Sequence, residues 1–241
     1  MIAIDRLKFR YPNSEFLLDI PSLTIEDGEK VAIVGPSGCG KTTLLNLVSG
    51  IEVPDSGEVV VIGQSVSSMA DAQRRDFRAR SIGMVFQQFE LVEYINAKEN
   101  ILLPFAINSS LNLDAEVKSR VMQLANAVGI GEQLKRRSTQ LSQGERQRVA
   151  ICRAMITCPK IVMADEPTGN LDPRNKRLIL ELLFEQANRN RQTLLVVTHD
   201  MGILEGFDRV IDFEKFRLVD SGGSSSQVAG LQGRVEGEVS R

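Results

Sequence analysis

Over residues 1–30 apolar and polar positions alternate in short runs, at 2–11, 16–20 and 23–25, and this period of two predicts strands separated by turns. Glu26-Asp27-Gly28-Glu29 reads as a turn ahead of a new run. Val31-Ala32-Ile33-Val34 is apolar throughout, the pattern of a strand covered on both faces. It leads into a Gly-rich turn and a predicted helix over 41–49. Similar runs predict strands at 59–62, 82–86, 161–164, 194–198 and 209–213. Between Phe86 and Ile161 the spacing becomes helical, over 97–107, 115–128 and 143–157. Residues 92–157 are therefore expected to form a helical subdomain inserted into an α/β core built from 1–91 and 158–220. The segment 221–241, rich in Gly and Ser, is expected to be a disordered tail.

Composition narrows the function classes. A length of 241 residues suits one large domain carrying an insertion. Aromatic residues are 5% of the chain and Trp is missing, which argues against stacking platforms for single-stranded nucleic acid. Lys and Arg number 29 against 31 Asp and Glu, so the basic surplus of a polyanion binder is missing and no nucleic-acid partner is expected. The longest apolar tracts, 101–107 and 194–197, fall far short of the roughly 18–20 residues of a membrane span. Asp5, Arg6 and Lys8 interrupt any signal-peptide pattern, and a cytosolic chain is expected. Cys39, Cys152 and Cys158 lack metal-ligand spacing and read as free thiols. Arg74, Arg75, Arg78, Arg80 and the cluster Lys135-Arg136-Arg137 read as solvated faces.

The segment with the clearest chemistry is Gly35-Pro36-Ser37-Gly38-Cys39-Gly40-Lys41-Thr42-Thr43, which follows a buried strand and opens a helix. It fits the phosphate-binding loop G-x-x-x-x-G-K-[ST]. Glycines let backbone N–H groups curl around phosphate, and the helix N-terminus faces the same anion. Lys41 is expected to bridge the β- and γ-phosphates, and the Thr42 hydroxyl to hold Mg²⁺. Cys39 lies at that helix N-terminus, where a thiol pKa falls, so ATP-protected alkylation is an expectation. Ile161-Val162-Met163-Ala164-Asp165-Glu166 runs from four apolar residues into two acids. Neighbouring side chains at a strand end point to opposite faces, which assigns Asp165 to Mg²⁺ and Glu166 to the attacking water as general base. An acidic turn before Pro167 is the plainer alternative.

Leu141-Ser142-Gln143-Gly144-Glu145 resembles the signature motif of ATP-binding cassette (ABC) ATPases, with Gln143 in place of the first of two glycines. With that motif the chain resembles the family over about residues 1–220. The resemblance implies a P-loop NTPase of α/β class, with a RecA-like mixed sheet core, an N-terminal antiparallel β subdomain and an inserted helical subdomain. It implies ATP and Mg²⁺ as cofactors and ATP hydrolysis as the activity. Tyr11 is similar to the aromatic that stacks on adenine, Gln87 to the glutamine that ligands Mg²⁺, Asp172 to the D-loop acid, and His199 to the switch histidine at the γ-phosphate. Plainer roles stand beside these: a core Tyr11, an N-capping Asp172, a structural His199. Ser142 with Glu145 also forms a capping box. In the family Ser142 and Gly144 serve the nucleotide of the opposite subunit, so a second copy bound head to tail is the implied partner. An integral membrane subunit is the other, with the chain peripheral on the cytoplasmic face of the inner membrane. The segments 78–87 and 165–172 resemble the subgroup of LolD-like lipoprotein-releasing, MacB-like, FtsE-like and DevA-like ATPases. A soluble ABC ATPase acting on nucleic acid or the ribosome is the alternative.

Overall fold

The computed structural model describes residues 1–169 and 171–219; the tail at 221–241 lies outside the described residues. In chain order the elements are β1 (Ile2–Arg10), β2 (Phe16–Ile25), β3 (Lys30–Val34), α1 (Lys41–Val48), β4 (Ser56–Val61), β5 (Gln64–Ser65), α2 (Asp71–Ser81) and β6 (Ile82–Val85). There follow α3 (Ala97–Ile107), α4 (Ala115–Ala127), α5 (Gln143–Met155), β7 (Ile161–Asp165), α6 (Pro173–Asn190), β8 (Thr193–Thr198), β9 (Arg209–Asp212) and β10 (Arg217–Val219).

The strands form two sheets. One is antiparallel, in the order β10-β2-β1-β4-β5, and the other is parallel, in the order β6-β7-β8-β3-β9. The antiparallel subdomain is as expected, whereas the core sheet, expected to be mixed, pairs only parallel strands among the described residues. Helix α1 is buried on most faces. Its Leu44, Leu45, Leu47 and Val48 share one core with Ile2, Ile4 and Val59 of the antiparallel sheet and with Val31, Ile33 and Met163 of the parallel one. The helix that begins at the phosphate loop is therefore clamped by both sheets.

Two expectations are corrected within the antiparallel sheet and beside it. The runs at 16–20 and 23–25 belong to one strand, because Pro21 falls where the ladder with β1 is interrupted, between the pairs Leu7–Ile20 and Asp5–Ser22. Opposite it Arg6 has φ 46°, and a proline, which has no N–H to donate, is tolerated at such a break. The arginines of 74–80 are not simply solvated: Arg74 donates to the Met69 carbonyl at 2.6 Å and Arg78 to the Ser49 carbonyl at 3.2 Å, both half-buried. Lys135, Arg136 and Arg137 are exposed as expected.

Helices α2 and α6 lie outside the predicted elements. Phe77 is the one buried residue of α2, whose remaining sequence is stabilised by Asp71–Arg75 and Asp76–Arg80 pairs one turn apart. The insertion has its own core, in which Ala97 and Ile101 of α3 meet Val117, Val121 and Ala125 of α4 and Val149 and Cys152 of α5. The opposite face of α5 contributes Ile151, Ala154 and Met155 to a core with Val85, Val162, Ala164 and Val196 of the parallel sheet. Where α5 crosses β6 the approach is too close for a side chain, since a Cβ at Gly83 would lie 2.1 Å from the Ala154 carbonyl oxygen.

Candidate functional site

The phosphate loop leaves β3 at Val34 and enters α1 at Lys41. Gly40 occupies the N-cap with φ 103° and no side-chain cap, so the amides of the first turn face outward for a ligand. A Cβ at Gly40 would lie 2.6 Å from the Phe16 ring, so glycine is required there twice over. Lys41 is 7% exposed, and its ammonium folds back to donate to the carbonyls of Gly35 (2.7 Å) and Pro36 (3.0 Å). Cys39 departs from expectation. It is fully buried beneath Gly35, a core side chain rather than an accessible thiol.

The two acids at the end of β7 also depart from simple alternation. Asp165 is the last strand residue, whereas Glu166 has φ 47°, and this left-handed turn brings both carboxylates to one cavity. The Thr42 hydroxyl donates to Asp165 Oδ2 at 2.8 Å, joining the phosphate loop to the acid strand. Burial pushes the Asp165 carboxyl above its ordinary range; the Thr42 bond opposes this, the charge of Glu166 adds to it and Lys41 works against it. Glu166 is held at both oxygens: Oε1 lies 2.8 Å from His199 Nδ1, and Oε2 accepts from the Thr198 hydroxyl at 3.3 Å. The Glu166 side chain is 11% exposed and His199 64%. Asp200 accepts from Lys176 at 2.6 Å, which holds its carboxyl below the usual range and braces the loop carrying His199.

These groups line a cavity of about 600 Å³. Its floor is Ser37, Gly38, Gly40, Lys41, Thr42 and Thr43, and the facing wall is Gln87, Asp165, Glu166 and His199. Gln87, not its neighbour Gln88, is the lining residue. Tyr11 and Phe16 close one end. Tyr11 stands edge-on to Phe9 with centroids 4.7 Å apart, and its hydroxyl is 3.4 Å from Thr43 Oγ1. Phe16 escapes sequence reasoning, because only its approach to Gly40 in the fold marks it. Thr42, Asp165 and Gln87 offer oxygen donors, the kind that suits Mg²⁺. Among the described residues no group of three His, Cys, Asp or Glu side chains is placed to hold a metal ion.

Gly35, Pro36 and Cys39 do not line the cavity, nor do Ser142, Gly144 and Asp172. Ser142 N-caps α5 in a full capping box: its amide donates to Glu145 Oε2 (2.8 Å) and Glu145 N donates to Ser142 Oγ (3.3 Å). The Ser142 amide and, after it, the Ser142 hydroxyl, which donates to Glu145 Oε2 at 2.9 Å, hold the Glu145 carboxyl below its usual range. Gly144 faces the first turn of α6, with Asn175 Oδ1 3.5 Å from where its Cβ would be. Asp172 N-caps α6 through the amides of Arg174 and Asn175, and the Asn175 side chain, its strongest partner, keeps the acid low in pKa.

The ABC transporter family profile matches residues 18–169. The lipoprotein-releasing system ATP-binding protein LolD of Xanthomonas axonopodis pv. citri (strain 306) is 41% identical over 197 residues, covering 81% of this chain and 80% of the relative. LolD of Xanthomonas campestris pv. campestris (strain 8004) is 37% identical over 222 residues, covering 90% and 92%. The dimeric cassette MJ0796, in a post-hydrolysis state bound to ADP and Pi, superposes with a TM-score of 0.79 at 32% identity, covering 88% of this chain and 94% of that one. The cbiO1 protein of Clostridium perfringens, part of the ABC transporter complex cbiONQ, gives 0.75 at 29% identity, covering 84% and 80%.

Proposed function

The chain belongs to the ABC transporter family, as an ATP-binding subunit of the LolD-like subgroup, and from that premise we propose how its site works. Its activity is hydrolysis of ATP to ADP and phosphate, as the ATPase subunit of a membrane transport complex. The observation that carries the site reading is the Thr42–Asp165 hydrogen bond in the cavity that also holds Lys41, Glu166 and His199. The triphosphate lies along the loop amides, and Lys41 exchanges the Gly35 and Pro36 carbonyls for the β- and γ-phosphates. Tyr11, backed by Phe9, and Phe16 take the adenine ring. Thr42, Asp165 and Gln87 hold Mg²⁺, which neutralises charge on the phosphates when bound. Glu166 takes the proton of the attacking water, oriented by His199 and Thr198. His199 keeps Nδ1 on Glu166 and, being exposed, offers its second ring nitrogen to the γ-phosphate.

Ser142 and Gly144 stand away from this cavity, which supports their service to a second copy bound head to tail. The integral membrane partner has a fitting surface in the groove of about 430 Å³ between core and insertion, where Leu103, Pro104 and Ile107 of α3 face Met84, Phe86 and Arg78. Among the described residues no helix is long and apolar enough to cross a membrane. The likeness to LolD, the ATP-binding protein of a releasing system, supports a peripheral subunit on the cytoplasmic face of the inner membrane. Among export, lipoprotein release and mechanotransmission, the likeness to LolD favours lipoprotein release.

Glu166→Gln tests the reading. Turnover should fall by about 10²–10⁴-fold, the usual contribution of a general base, while ATP still binds and dimers accumulate on size exclusion. Wild-type turnover in this variant would refute the assignment.

A further inference from the structure

The loop that leaves β6 carries Gln87 into the cavity and then reverses within three residues. Phe89 and Glu90 are consecutive non-glycine residues in the left-handed region, with φ 64° and 48°. Two tight backbone bonds close the turn, Phe89 N to the Phe86 carbonyl (3.1 Å) and Glu90 N to the Gln88 carbonyl (2.7 Å). L-residues keep such a conformation only where their surroundings over-determine it. The outside support comes from a distant part of the chain. Arg153, about three turns along α5 from Ser142, donates Nη2 to the Phe89 carbonyl at 2.5 Å and Nη1 to the Glu90 carbonyl. A guanidinium is a rigid planar fork, so both carbonyls are fixed together and the turn cannot relax at one while keeping the other. Burial opposes the charge of Arg153, and the neighbouring Glu90 carboxylate favours it.

We infer that Arg153 is a positioning residue for the reaction: its fork on the carbonyls of Phe89 and Glu90 holds the strained turn that presents Gln87 to the nucleotide site. The inference rests on the reading of Gln87 as a Mg²⁺ ligand, and it assigns to the C-terminal half of α5 a task separate from that of Ser142 and Gly144 at its start. Loss of the fork lets the turn leave the left-handed region and draws Gln87 from the wall, while the phosphate loop, built on β3 and α1, stays intact.

The test compares Arg153→Met, Arg153→Lys and Gln87→Ala with the unaltered chain in two measurements. One is the Mg²⁺ concentration giving half-maximal ATP turnover, with ATP affinity in EDTA as reference. The other is amide hydrogen exchange across residues 87–91 without nucleotide, which needs no activity. Arg153→Met is expected to raise the Mg²⁺ requirement about tenfold, the low end of what partners of metal ligands contribute, with ATP affinity in EDTA unchanged. Exchange across 87–91 should accelerate about tenfold as the turn opens. Arg153→Lys keeps the charge but has no fork, and should shift both in the same direction by less. It also preserves the test if the methionine variant does not fold. Exchange and Mg²⁺ requirement at wild-type levels in both arginine variants, with Gln87→Ala shifting the Mg²⁺ requirement, would overturn the inference. A Gln87→Ala variant with an unshifted Mg²⁺ requirement overturns the reading of Gln87 instead, and the exchange measurement then decides whether Arg153 holds the turn.

Discussion

At Glu166 the backbone leaves the strand in a left-handed step, and the two acids of β7 face the same cavity because of it. A continued strand would have sent one carboxylate to each face of the sheet. The arrangement has a cost, since Asp165 is an acid whose burial raises its pKa. A raised folded-state pKa means that the native chain holds the proton more tightly than the unfolded chain. The associated stability is fully present below the ordinary Asp value of 3.8 and is lost as pH rises through the folded-state value. At neutral pH the ionised Asp165 therefore destabilises the nucleotide-free chain. Asp165→Asn, which still accepts the Thr42 bond, should raise the melting temperature by roughly 2–4 °C, the shift of about 1 kcal/mol in a chain of this size. The gain should disappear below pH 4, roughly the unperturbed Asp value. Thermal melts at the two pH values check this, and a lower melting temperature at pH 7 would contradict it.

At the level of elements the decisive contact is α5 against β6. Gly83 permits it, and any side chain there meets the Ala154 carbonyl. Gly83→Ala should destabilise the chain by about 2 kcal/mol, in the range of overpacking a filled core, and lower the melting temperature by roughly 4–8 °C. Unchanged thermal stability would show that β6 and α5 separate more easily than this contact implies. Elements of this kind differ in how far they can be read in advance. Helix α3 is legible from its helical spacing over 97–107, and the structure closes its start with a capping box of Asn96 and Glu99. The phosphate loop is legible because its chemistry is local. Helix α2 is not, since a helix that buries only Phe77 has no apolar stripe to find. Phe16 beside Tyr11 in the cavity and the burial of Cys39 depend on contacts between distant segments, and no spacing along the chain encodes them.

At the scale of the whole molecule, each chain carries one complete phosphate-binding wall and, away from it, a capped helix start at Ser142. Ser142→Arg places a bulky cation where the proposed second copy would bring its nucleotide. Calorimetry should give ATP affinity within about twofold of wild type, a difference of roughly 0.4 kcal/mol, while ATP-driven dimers disappear from size exclusion in a Glu166→Gln background. Dimers that persist would sink the head-to-tail arrangement.

The double membership of α5 in two cores has a mechanical consequence. Its C-terminal half is seated against β6 at Gly83, and its N-terminus at Gly144 lies ten residues ahead of Ala154, about 15 Å at the helical rise. The helix is thus shaped as a lever with its fulcrum in the sheet and, in the proposed head-to-tail pair, its N-terminal end toward the partner's nucleotide. A tilt of roughly 10° about that fulcrum carries the free end ~3 Å, the length of one hydrogen bond. In the proposed pair, a pivot this small would be enough to make or release the contact between subunits.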